Sequence, residues 1–345
     1  MLEGCFTALI TPMTESGELD LEGLSRLVDF QLSQGASGIL AVGTTGESPT
    51  LDWDEHNRVI EYVVKGVGDK AVSIAGTGSN STHETMRGTD FAAKVGAQAV
   101  LLVDPYYNGP SSLEIRREYV EPVAKAFPDL EVIPYVIPGR TGTQLLPEDL
   151  ALLNETFPNV NTVKEATGNF DNMMRIRECC GEEFTILSGD DDKTLAMMTE
   201  GQIRASGVIS VASNIAPAAV QRMVELMQAG EEKEARKVED ALKPLFSIVT
   251  VKTEEATSFG TVTCRARNPL AMKTLMRVLG MPSGACRQPL GKMTVNGLET
   301  ALDAAREVLR DNRWVLEPVE KFFDVDIESR LSDRGKWEEF AYSEY

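Results

Sequence analysis

One lysine stands at an unusual place in the sequence, directly after a short apolar run. Thr162 and Val163 are residue types of a buried strand, Lys164 follows them, and Gly168 begins a turn. A lysine amine attacks a carbonyl carbon only when neutral, and neutralising it at pH 7 costs about 4–5 kcal/mol, because its reference pKa is about 10.4. Burial lowers that pKa. Lys164 is therefore a candidate nucleophile, and a salt-bridged or solvent-reaching lysine is the alternative.

Three further segments place polar groups after apolar runs. Tyr135 ends the run "EVIPY", where its phenol could relay protons beside an amine, although a core aromatic is the simpler interpretation. Thr44 and Thr45 lie between glycines in "GTTGES", where two hydroxyls and nearby N–H groups could hold a carboxylate or simply form a turn. Arg140, in "PGRTG", is either a bidentate carboxylate ligand or an exposed surface residue.

The composition restricts the chemistry available to the chain. Its 345 residues include only two histidines, His56 and His83, whereas most catalytic triads and zinc sites use histidine. Acid–base work is therefore expected to fall to lysine, tyrosine or carboxylates. Of the five cysteines only Cys179 and Cys180 are close in sequence, and they are adjacent. We expect a reduced, cytoplasmic protein with no disulfide framework and no metal site.

Charge and hydropathy exclude two classes of partner. The formal net charge of −19 would repel a phosphate backbone, so nucleic acid is not expected as a partner. The first residues, "MLEGCFTAL", lack the basic start and long apolar core of a signal peptide. No apolar run approaches the roughly 18 residues that span a bilayer, so no membrane association is expected.

The candidate residues must be positioned by a set of regularly repeated elements. Amphipathic stretches alternate with eight short β-rich runs, at 5–12, 37–43, 71–78, 97–105, 131–137, 161–166, 184–190 and 206–213. Asp52, with Glu55 three residues on, predicts the start of one helix. Eight alternating units favour an α/β fold, a (β/α)8 TIM barrel, over an open doubly wound sheet, since no early GxGxxG motif is present. In such a barrel the polar strand ends converge on one face.

Beyond the barrel the pattern changes twice. The repeat of strands stops after about residue 215, and we predict a barrel over 1–225 followed by a helical C-terminal domain over 226–310. Residues 311–345 form a tail with seven aromatic residues: Trp314, Phe322, Phe323, Trp337, Phe340, Tyr342 and Tyr345. Disordered tails are poor in aromatic residues, so this tail is expected to dock on a protein surface.

Taken together, the strand-end motifs resemble a known family. "GTTGES", "PYYN", "YVIPGRTG", "VKEATGN", "LSGDD" and "GVISV" occur in the order and nearly the spacing of the dihydrodipicolinate synthase and N-acetylneuraminate lyase superfamily. The resemblance covers residues 1 to about 300, and residues 250–266 look like an insertion relative to the family. It implies a class I aldolase-like barrel in which Lys164 forms a Schiff base with pyruvate, without a metal or organic cofactor.

The resemblance also implies roles for the other residues. Thr44, Tyr135 and Tyr107 match a proton relay, in which Tyr107 reaches the site of a neighbouring subunit in a homo-oligomer, a tight dimer or a tetramer. Thr45, Gly189 and Ile209 match pyruvate-contacting positions. Arg140 matches the arginine that binds the carboxylate of aspartate semialdehyde.

Within the superfamily, the details resemble the dihydrodipicolinate synthase branch. This branch joins pyruvate to L-aspartate 4-semialdehyde, giving 4-hydroxy-tetrahydrodipicolinate on the diaminopimelate route to lysine. One alternative is a pyruvate-dependent aldolase for a keto-sugar acid or 4-hydroxy-2-oxoglutarate, against which Arg140 argues. The other is a catalytically inactive sensor barrel, against which the complete set of relay residues argues.

A second site follows from the same resemblance. In the family, lysine inhibits by binding at the tight-dimer interface, and the matching positions here are Ser48, Trp53, His56, Asn80, Glu84 and Tyr106. Taken singly, each residue has an ordinary structural explanation. His56 could simply be an exposed residue of a helix, and Glu84 could be an acidic residue in the first turn of a helix, where the helix dipole favours it. As a set, they predict an allosteric site for L-lysine.

Overall fold

Eight parallel strands form a closed barrel in the structure, a computed structural model that describes residues 2–345. The strands follow one another in chain order, and the eighth closes the barrel by pairing with the first. They are β1 (Gly4–Ala8), β2 (Gly38–Ala41), β3 (Val72–Gly76), β4 (Ala99–Val103), β5 (Glu131–Val136), β6 (Thr162–Glu165), β7 (Thr185–Ser188) and β8 (Gly207–Ser210). The predicted (β/α)8 fold is confirmed, and the open doubly wound alternative is wrong.

Helices connect consecutive strands and then continue beyond the barrel. They are α1 (Leu21–Ser33), α2 (Trp53–Val67), α3 (Thr82–Lys94), α4 (Ser112–Glu114), α5 (Glu121–Ala126), α6 (Pro138–Thr141), α7 (Pro147–Thr156), α8 (Phe170–Cys180), α9 (Thr194–Thr199), α10 (Pro217–Gln228), α11 (Glu232–Ser247), α12 (Leu270–Leu279), α13 (Val295–Asp311), α14 (Glu317–Phe323) and α15 (Ile327–Ser332). A π-helical segment, Ile115–Val120, joins α4 to α5. Asp52 and Glu55 form the predicted capping box of α2. Across residues 2–345, none of these helices is long and apolar enough to cross a membrane.

The barrel interior is filled by alternate residues of its strands, because successive side chains of a strand point to opposite faces. The inner cluster includes Phe6, Leu40, Ile74, Leu101, Ile133, Tyr135, Leu187 and Ile209. Lys164 pairs in register with Tyr135 on one side and Leu187 on the other. It therefore belongs to the same inward-facing row, at the end where β5 and β6 stop.

The C-terminal region differs from the sequence-based expectation in one element. Two antiparallel strands, β9 (Thr250–Thr257) and β10 (Gly260–Arg267), form a hairpin between α11 and α12. The region 226–310 is therefore not purely helical, because this stretch is rich in β-branched threonine and valine on both sides of a Ser258-Phe259 turn. The helix α10 packs on β1 and β8 as the last barrel helix, so the predicted boundary at 225 falls inside it.

Residues 311–345 lie against helices of their own chain. The ring of Phe30 in α1 packs against those of both Phe322 and Phe323, with centroid distances of 5.2 and 5.1 Å. Helix α15 packs on α12 and α13, and both Trp337 and Phe340 are buried. Three of the seven aromatic residues remain exposed: Trp314, Tyr342 and Tyr345.

Candidate active site

Lys164 and Tyr135 meet at the mouth of the barrel. The Lys164 Nζ lies 4.2 Å from the centroid of the Tyr135 ring, and both side chains are buried. Gly189, just beyond β7, packs against the lysine: a Cβ at Gly189 would come within 3.2 Å of the Lys164 Cε. The absence of a side chain at Gly189 thus leaves room for the amine.

Burial changes the ionisation of Lys164. It lowers the pKa of the ammonium from the ordinary 10.5 to about 8, while the negative charges of Asp190 and Asp191 act in the opposite direction. An amine with this pKa is about half neutral at pH 8. Lys164 can therefore act as a nucleophile at mildly alkaline pH without an external base.

A cavity of about 200 Å³ opens beside this pair. Its lining includes Thr44, Ser48, Tyr106, Tyr135 and Arg140. Lys164 is not among the lining residues and adjoins the cavity through its contact with the Tyr135 ring. The cavity is large enough for a small oxo-acid, and these polar groups lie at or after the ends of three strands, β2, β4 and β5.

Tyr135 is held as a neutral phenol. Burial raises its pKa above the ordinary value of 10, whereas the positive charge of Arg140 and the hydroxyl of Thr44 oppose the rise. A phenol that stays protonated can donate a proton to a neighbouring oxygen and recover it from a relay. Thr44, on the loop after β2, lines the same cavity, and its hydroxyl is the one that acts on Tyr135.

The "GTTGES" loop is anchored by residues distant in the chain. The Asn268 Nδ2 donates to the Thr45 Oγ1 at 3.0 Å, and the Thr11 hydroxyl donates to the Gly46 carbonyl at 2.7 Å. Glu47, which has a left-handed backbone with φ of 60°, pairs with Lys273. Because Thr45 accepts from Asn268, its own hydroxyl proton stays available for an acceptor such as a carboxylate.

Arg140, on α6, is another polar residue that lines the cavity. Its Nη2 donates to the Asn268 carbonyl at 3.1 Å, and it forms no ion pair with a carboxylate anywhere in residues 2–345. Partial desolvation lowers the pKa of the guanidinium, which nevertheless remains solvent-accessible and charged. An accessible arginine without a carboxylate partner is suited to binding an anionic ligand.

Two of the predicted residues occupy different surroundings. Tyr107 is 93% exposed, has a φ of 81° and does not line the cavity of its own chain, although its neighbour Tyr106 does. Ile209 is fully buried in the inner cluster of the barrel at the end of β8. The structure thus groups Thr44, Tyr135 and Lys164 within one chain and leaves Tyr107 pointing outward.

Part of the predicted lysine-binding set is brought together beside the cavity. Ser48 Oγ lies 3.2 Å from His56 Nε2, and the Trp53 and His56 rings pack at 4.6 Å between centroids. His56 is buried rather than exposed, which corrects the simple expectation for a helix position, and burial lowers its pKa to about 4. Burial and the charge of Glu84 raise the pKa of Tyr106.

The remaining members are less closely grouped. Trp53 and Glu84 line a neighbouring cavity with Asn57 and Arg87. Asn80 is exposed on the loop that precedes α3. Ser48, His56 and Trp53 therefore contact one another, and Glu84 shares a cavity with Trp53 and acts on Tyr106 through its charge. Within residues 2–345, Asn80 takes part in none of these contacts.

Some residues of the site were not singled out from the sequence. Asp191 accepts hydrogen bonds from the Val211 and Ala212 amides at 2.9 and 3.1 Å and from Ser210, which fixes the end of β8. Both aspartates of "SGDD" act on Lys164 through their charge, and their position after β7 was the available signal. Asn268 gave no such signal, because it is 223 residues away in the chain from Thr45, its partner in the site.

The fold and the site define a (β/α)8-barrel enzyme with a buried amine at the mouth of the barrel. A family profile described as the dihydrodipicolinate synthetase family matches residues 1–307. The chain belongs to this family. The relatives that it matches in the family are lyases. The match ends before the aromatic tail.

Individual relatives agree with this assignment. A 4-hydroxy-tetrahydrodipicolinate synthase from Syntrophus aciditrophicus is 39% identical over 311 residues, which cover 90% of this chain and 98% of the relative. The structure of a dihydrodipicolinate synthase from Cyanidioschyzon merolae with lysine bound superposes with a TM-score of 0.80 at 34% identity, over 89% of this chain and 98% of that one. The structure of a chloride-inhibited dihydrodipicolinate synthase from Acinetobacter baumannii in complex with pyruvate superposes with a TM-score of 0.80 at 32% identity. The match covers 89% of this chain and 99% of that one.

Proposed function

We propose that this enzyme condenses pyruvate with L-aspartate 4-semialdehyde to give 4-hydroxy-tetrahydrodipicolinate, through an imine on Lys164. One observation carries the proposal: a buried amine, with its pKa lowered to about 8, lies 4.2 Å from the ring of a neutral tyrosine. The relatives named 4-hydroxy-tetrahydrodipicolinate synthase support the choice of substrates. No resident metal or organic cofactor is needed, because the lysine itself activates the keto group.

The first half-reaction forms the imine. Neutral Lys164 attacks the ketone carbon of pyruvate, and the resulting carbinolamine loses water. Tyr135 donates the proton that makes the hydroxyl a leaving group and regains a proton through Thr44. The protonated imine then draws electrons from the adjacent carbon, which loses a proton to give an enamine.

The second half-reaction uses the enamine as a carbon nucleophile. The enamine carbon attacks the aldehyde carbon of the semialdehyde, whose carboxylate is bound by Arg140. The amino group of the semialdehyde then attacks the imine carbon, which closes the ring and releases Lys164 as a free amine. The Thr45 hydroxyl, together with Gly189 and Ile209, contacts the pyruvate moiety throughout.

Tyr107 requires a second copy of the chain in this proposal. Since its side chain is 93% exposed and lies outside the cavity of its own chain, it can complete a relay only in another subunit's site. We infer a homo-oligomer, a tight dimer or a tetramer of such dimers. L-lysine is the proposed inhibitor, bound by the region around Ser48, His56, Glu84 and Tyr106, and the lysine-bound relative supports this assignment.

Borohydride trapping tests the central step. Incubation with pyruvate and sodium borohydride should add a reduced pyruvyl group to Lys164, found by peptide mass spectrometry, and a Lys164→Met variant should remain unlabelled. A coupled assay with the semialdehyde and the next reductase should then show turnover. Labelling of another lysine would overturn the mechanism, and turnover only with a keto-sugar acid or 4-hydroxy-2-oxoglutarate would assign the enzyme to the aldolases.

A further inference from the structure

Two neighbouring loops at the mouth of the barrel are joined by hydrogen bonds from side chains. The loop after β4 carries Tyr106 and the exposed Tyr107, and the loop after β5 carries Arg140 on α6. The Thr143 hydroxyl of the second loop donates to the Pro110 carbonyl of the first. The position of one loop therefore depends on the position of the other.

Asp104, directly after β4, makes a second connection between the loops. Its Oδ2 accepts from the Leu145 amide at 3.0 Å, five residues after Arg140 in the sequence. Its own amide donates to the Tyr135 carbonyl at 3.2 Å, which continues the pairing of β4 with β5. Asp104 is thus fixed to the sheet through its backbone, and its side chain holds the returning end of the loop that carries Arg140.

The environment of Asp104 is unfavourable for a carboxyl group. The residue is 1% exposed, and its Oδ1 accepts from no donor in the part of the chain that the structure describes. Burial raises the pKa of Asp104 to about 7, and the bond from the Leu145 amide opposes the rise. An apolar side chain of the same size would fill this space without the desolvation of a carboxyl group. The carboxyl is therefore explained by the amide that it holds and not by packing.

The segment from Arg140 to Leu145 has little freedom once its end is fixed. The Thr141 hydroxyl donates to the Thr143 carbonyl at 2.8 Å, which closes the turn after α6. Gly142, between them, has a φ of 71°, a left-handed conformation that favours glycine. Leu145 itself is buried. A shift of the Leu145 amide would therefore be passed along this short turn to Arg140.

We propose that Asp104 is a positioning residue for the second half-reaction, which holds the Leu145 amide and so places Arg140 to bind the carboxylate of the semialdehyde. The inference rests on the proposed function for the identity of that substrate, whereas the connection between the loops does not. Asp104 does not line the cavity, so it acts through Arg140 and not on the substrate.

Two substitutions separate the acceptor from the shape of the side chain. Asp104→Asn keeps an oxygen that can accept from Leu145, whereas Asp104→Leu is of similar size and leaves the Leu145 amide without a partner. Asp104→Ala also lacks the acceptor and takes the place of Asp104→Leu if that variant does not fold. Ser112→Ala is a matched control, because the Ser112 hydroxyl accepts from the next amide, that of Leu146, at 2.9 Å. Leu146 is exposed, so water can replace that hydroxyl.

Kinetics of these variants test the proposal. Asp104→Leu should raise the KM for the semialdehyde about 10-fold, because a displaced Arg140 loses much of a charge-assisted contact, and borohydride trapping of pyruvate should not change. Asp104→Asn and Ser112→Ala should stay within about twofold of the unsubstituted enzyme.

A double variant shows whether Asp104 acts through Arg140. In an Arg140→Ala background, Asp104→Leu should have no further effect on the KM for the semialdehyde, because both substitutions remove the same contact. An unchanged KM in Asp104→Leu alone, an equal loss in both backgrounds, or the same loss in Ser112→Ala would overturn the proposal. So would equal damage to pyruvate trapping, which would assign Asp104 to the general stability of the barrel.

Hydrogen exchange separates this inference from the proposed function, because it needs no substrate. In peptides from residues 137–146, the Leu145 amide should exchange about 10-fold faster in Asp104→Leu than in Asp104→Asn or Ser112→Ala, since only the first variant removes its acceptor. If this difference were found while the semialdehyde was not a substrate, the proposed function would fail and the fixing of the loop by Asp104 would stand. Unchanged exchange in Asp104→Leu would overturn the inference, whatever the activity.

Discussion

The ammonium of Lys273 and the carboxylate of Glu47 form an ion pair that is almost completely removed from solvent. The Nζ lies 2.5 Å from Oε1, and the two side chains are 1% and 0% exposed. Every remaining group is satisfied: Nζ also donates to the carbonyls of Thr11 and Ala285, and the Arg287 amide donates to Oε2 at 2.8 Å. The pair joins α12 to the "GTTGES" loop that carries Thr44 and Thr45.

Breaking this pair should destabilise the enzyme strongly. Glu47→Gln leaves the Lys273 charge buried without a counter-ion, for which we expect a loss of about 3–5 kcal/mol in the free energy of unfolding. Urea denaturation followed by circular dichroism measures it. The double variant Glu47→Gln with Lys273→Met removes both charges and should recover part of the loss. A double variant no more stable than Glu47→Gln would argue against the ion pair as the cause.

The rate of imine formation should depend on pH with a midpoint near 8. Above the pKa of about 8 the Lys164 amine is neutral and reactive, so trapping with pyruvate and borohydride should rise from pH 6.5 to 9 and then level off. Because the Asp190 charge raises the pKa of Lys164, Asp190→Asn should move the midpoint to lower pH. A midpoint near the ordinary lysine value would contradict the desolvated state of the amine.

Arg140→Ala should separate the two half-reactions. The lost charge-assisted contact is worth roughly 1.5–3 kcal/mol of transition-state stabilisation, which corresponds to a fall of about 10–100-fold in kcat/KM for the semialdehyde. Trapping of pyruvate should change little. The exposed Arg175, which pairs with Glu148 and Glu178 on the surface, provides a control substitution to alanine. Equal damage to both half-reactions would assign Arg140 to pyruvate or to the structure of the loop.

Removal of residues 312–345 should lower the melting temperature. The deletion strips apolar side chains that are buried in the intact chain, among them Leu316, Val319, Ile327 and Leu331, each worth roughly 1.5–3 kcal/mol. Differential scanning fluorimetry and gel filtration measure stability and assembly. Deletion of 343–345 alone, which removes only exposed residues, should change neither. An unchanged melting curve for the long deletion would show that the tail does not stabilise the fold.

Lysine binding should depend on the carboxylate of Glu84. Calorimetric titration of the intact enzyme with L-lysine should give binding that weakens about 10-fold in Glu84→Ala, because the amino group of lysine loses a charged partner. Activity without lysine serves as the measure of correct folding in the same preparation. Glu118, on the exposed side of the π-helical segment, is a control acid for substitution by alanine. Equal binding to all three proteins would remove Glu84 from the site.

The barrel and the convergence of strand ends could be predicted because both follow from local patterns. Eight apolar runs at regular spacing indicate eight buried strands, and the polar residue after each run then lies on one face. Lys164 and Tyr135 were predicted as neighbours for this reason, and their pairing in the sheet agrees. The capping box of α2 is equally local, since it involves two residues three positions apart.

Contacts between distant segments could not be predicted in the same way. The partners in the hydrogen bond from Asn268 to Thr45 are 223 residues apart, and those in the ion pair of Lys273 with Glu47 are 226 apart. No periodicity relates such residues, and each contact exists only because the C-terminal helices fold back on the barrel. The burial of His56, by contrast, involves residues that are close in the chain, because its ring packs against that of Trp53 and its Nε2 lies beside the Ser48 hydroxyl.

The packing of Phe30 against Phe322 and Phe323 sets an order of events during synthesis. Phe30 is translated early, but its aromatic partners follow about 290 residues later, which takes a ribosome roughly 15–60 s at ordinary elongation rates. The first helix of the nascent chain therefore waits with an apolar side chain uncovered until translation is almost complete. A chaperone that recognises exposed aromatic residues would have its longest opportunity here, and a premature stop codon after residue 311 would release a barrel that still displays this surface.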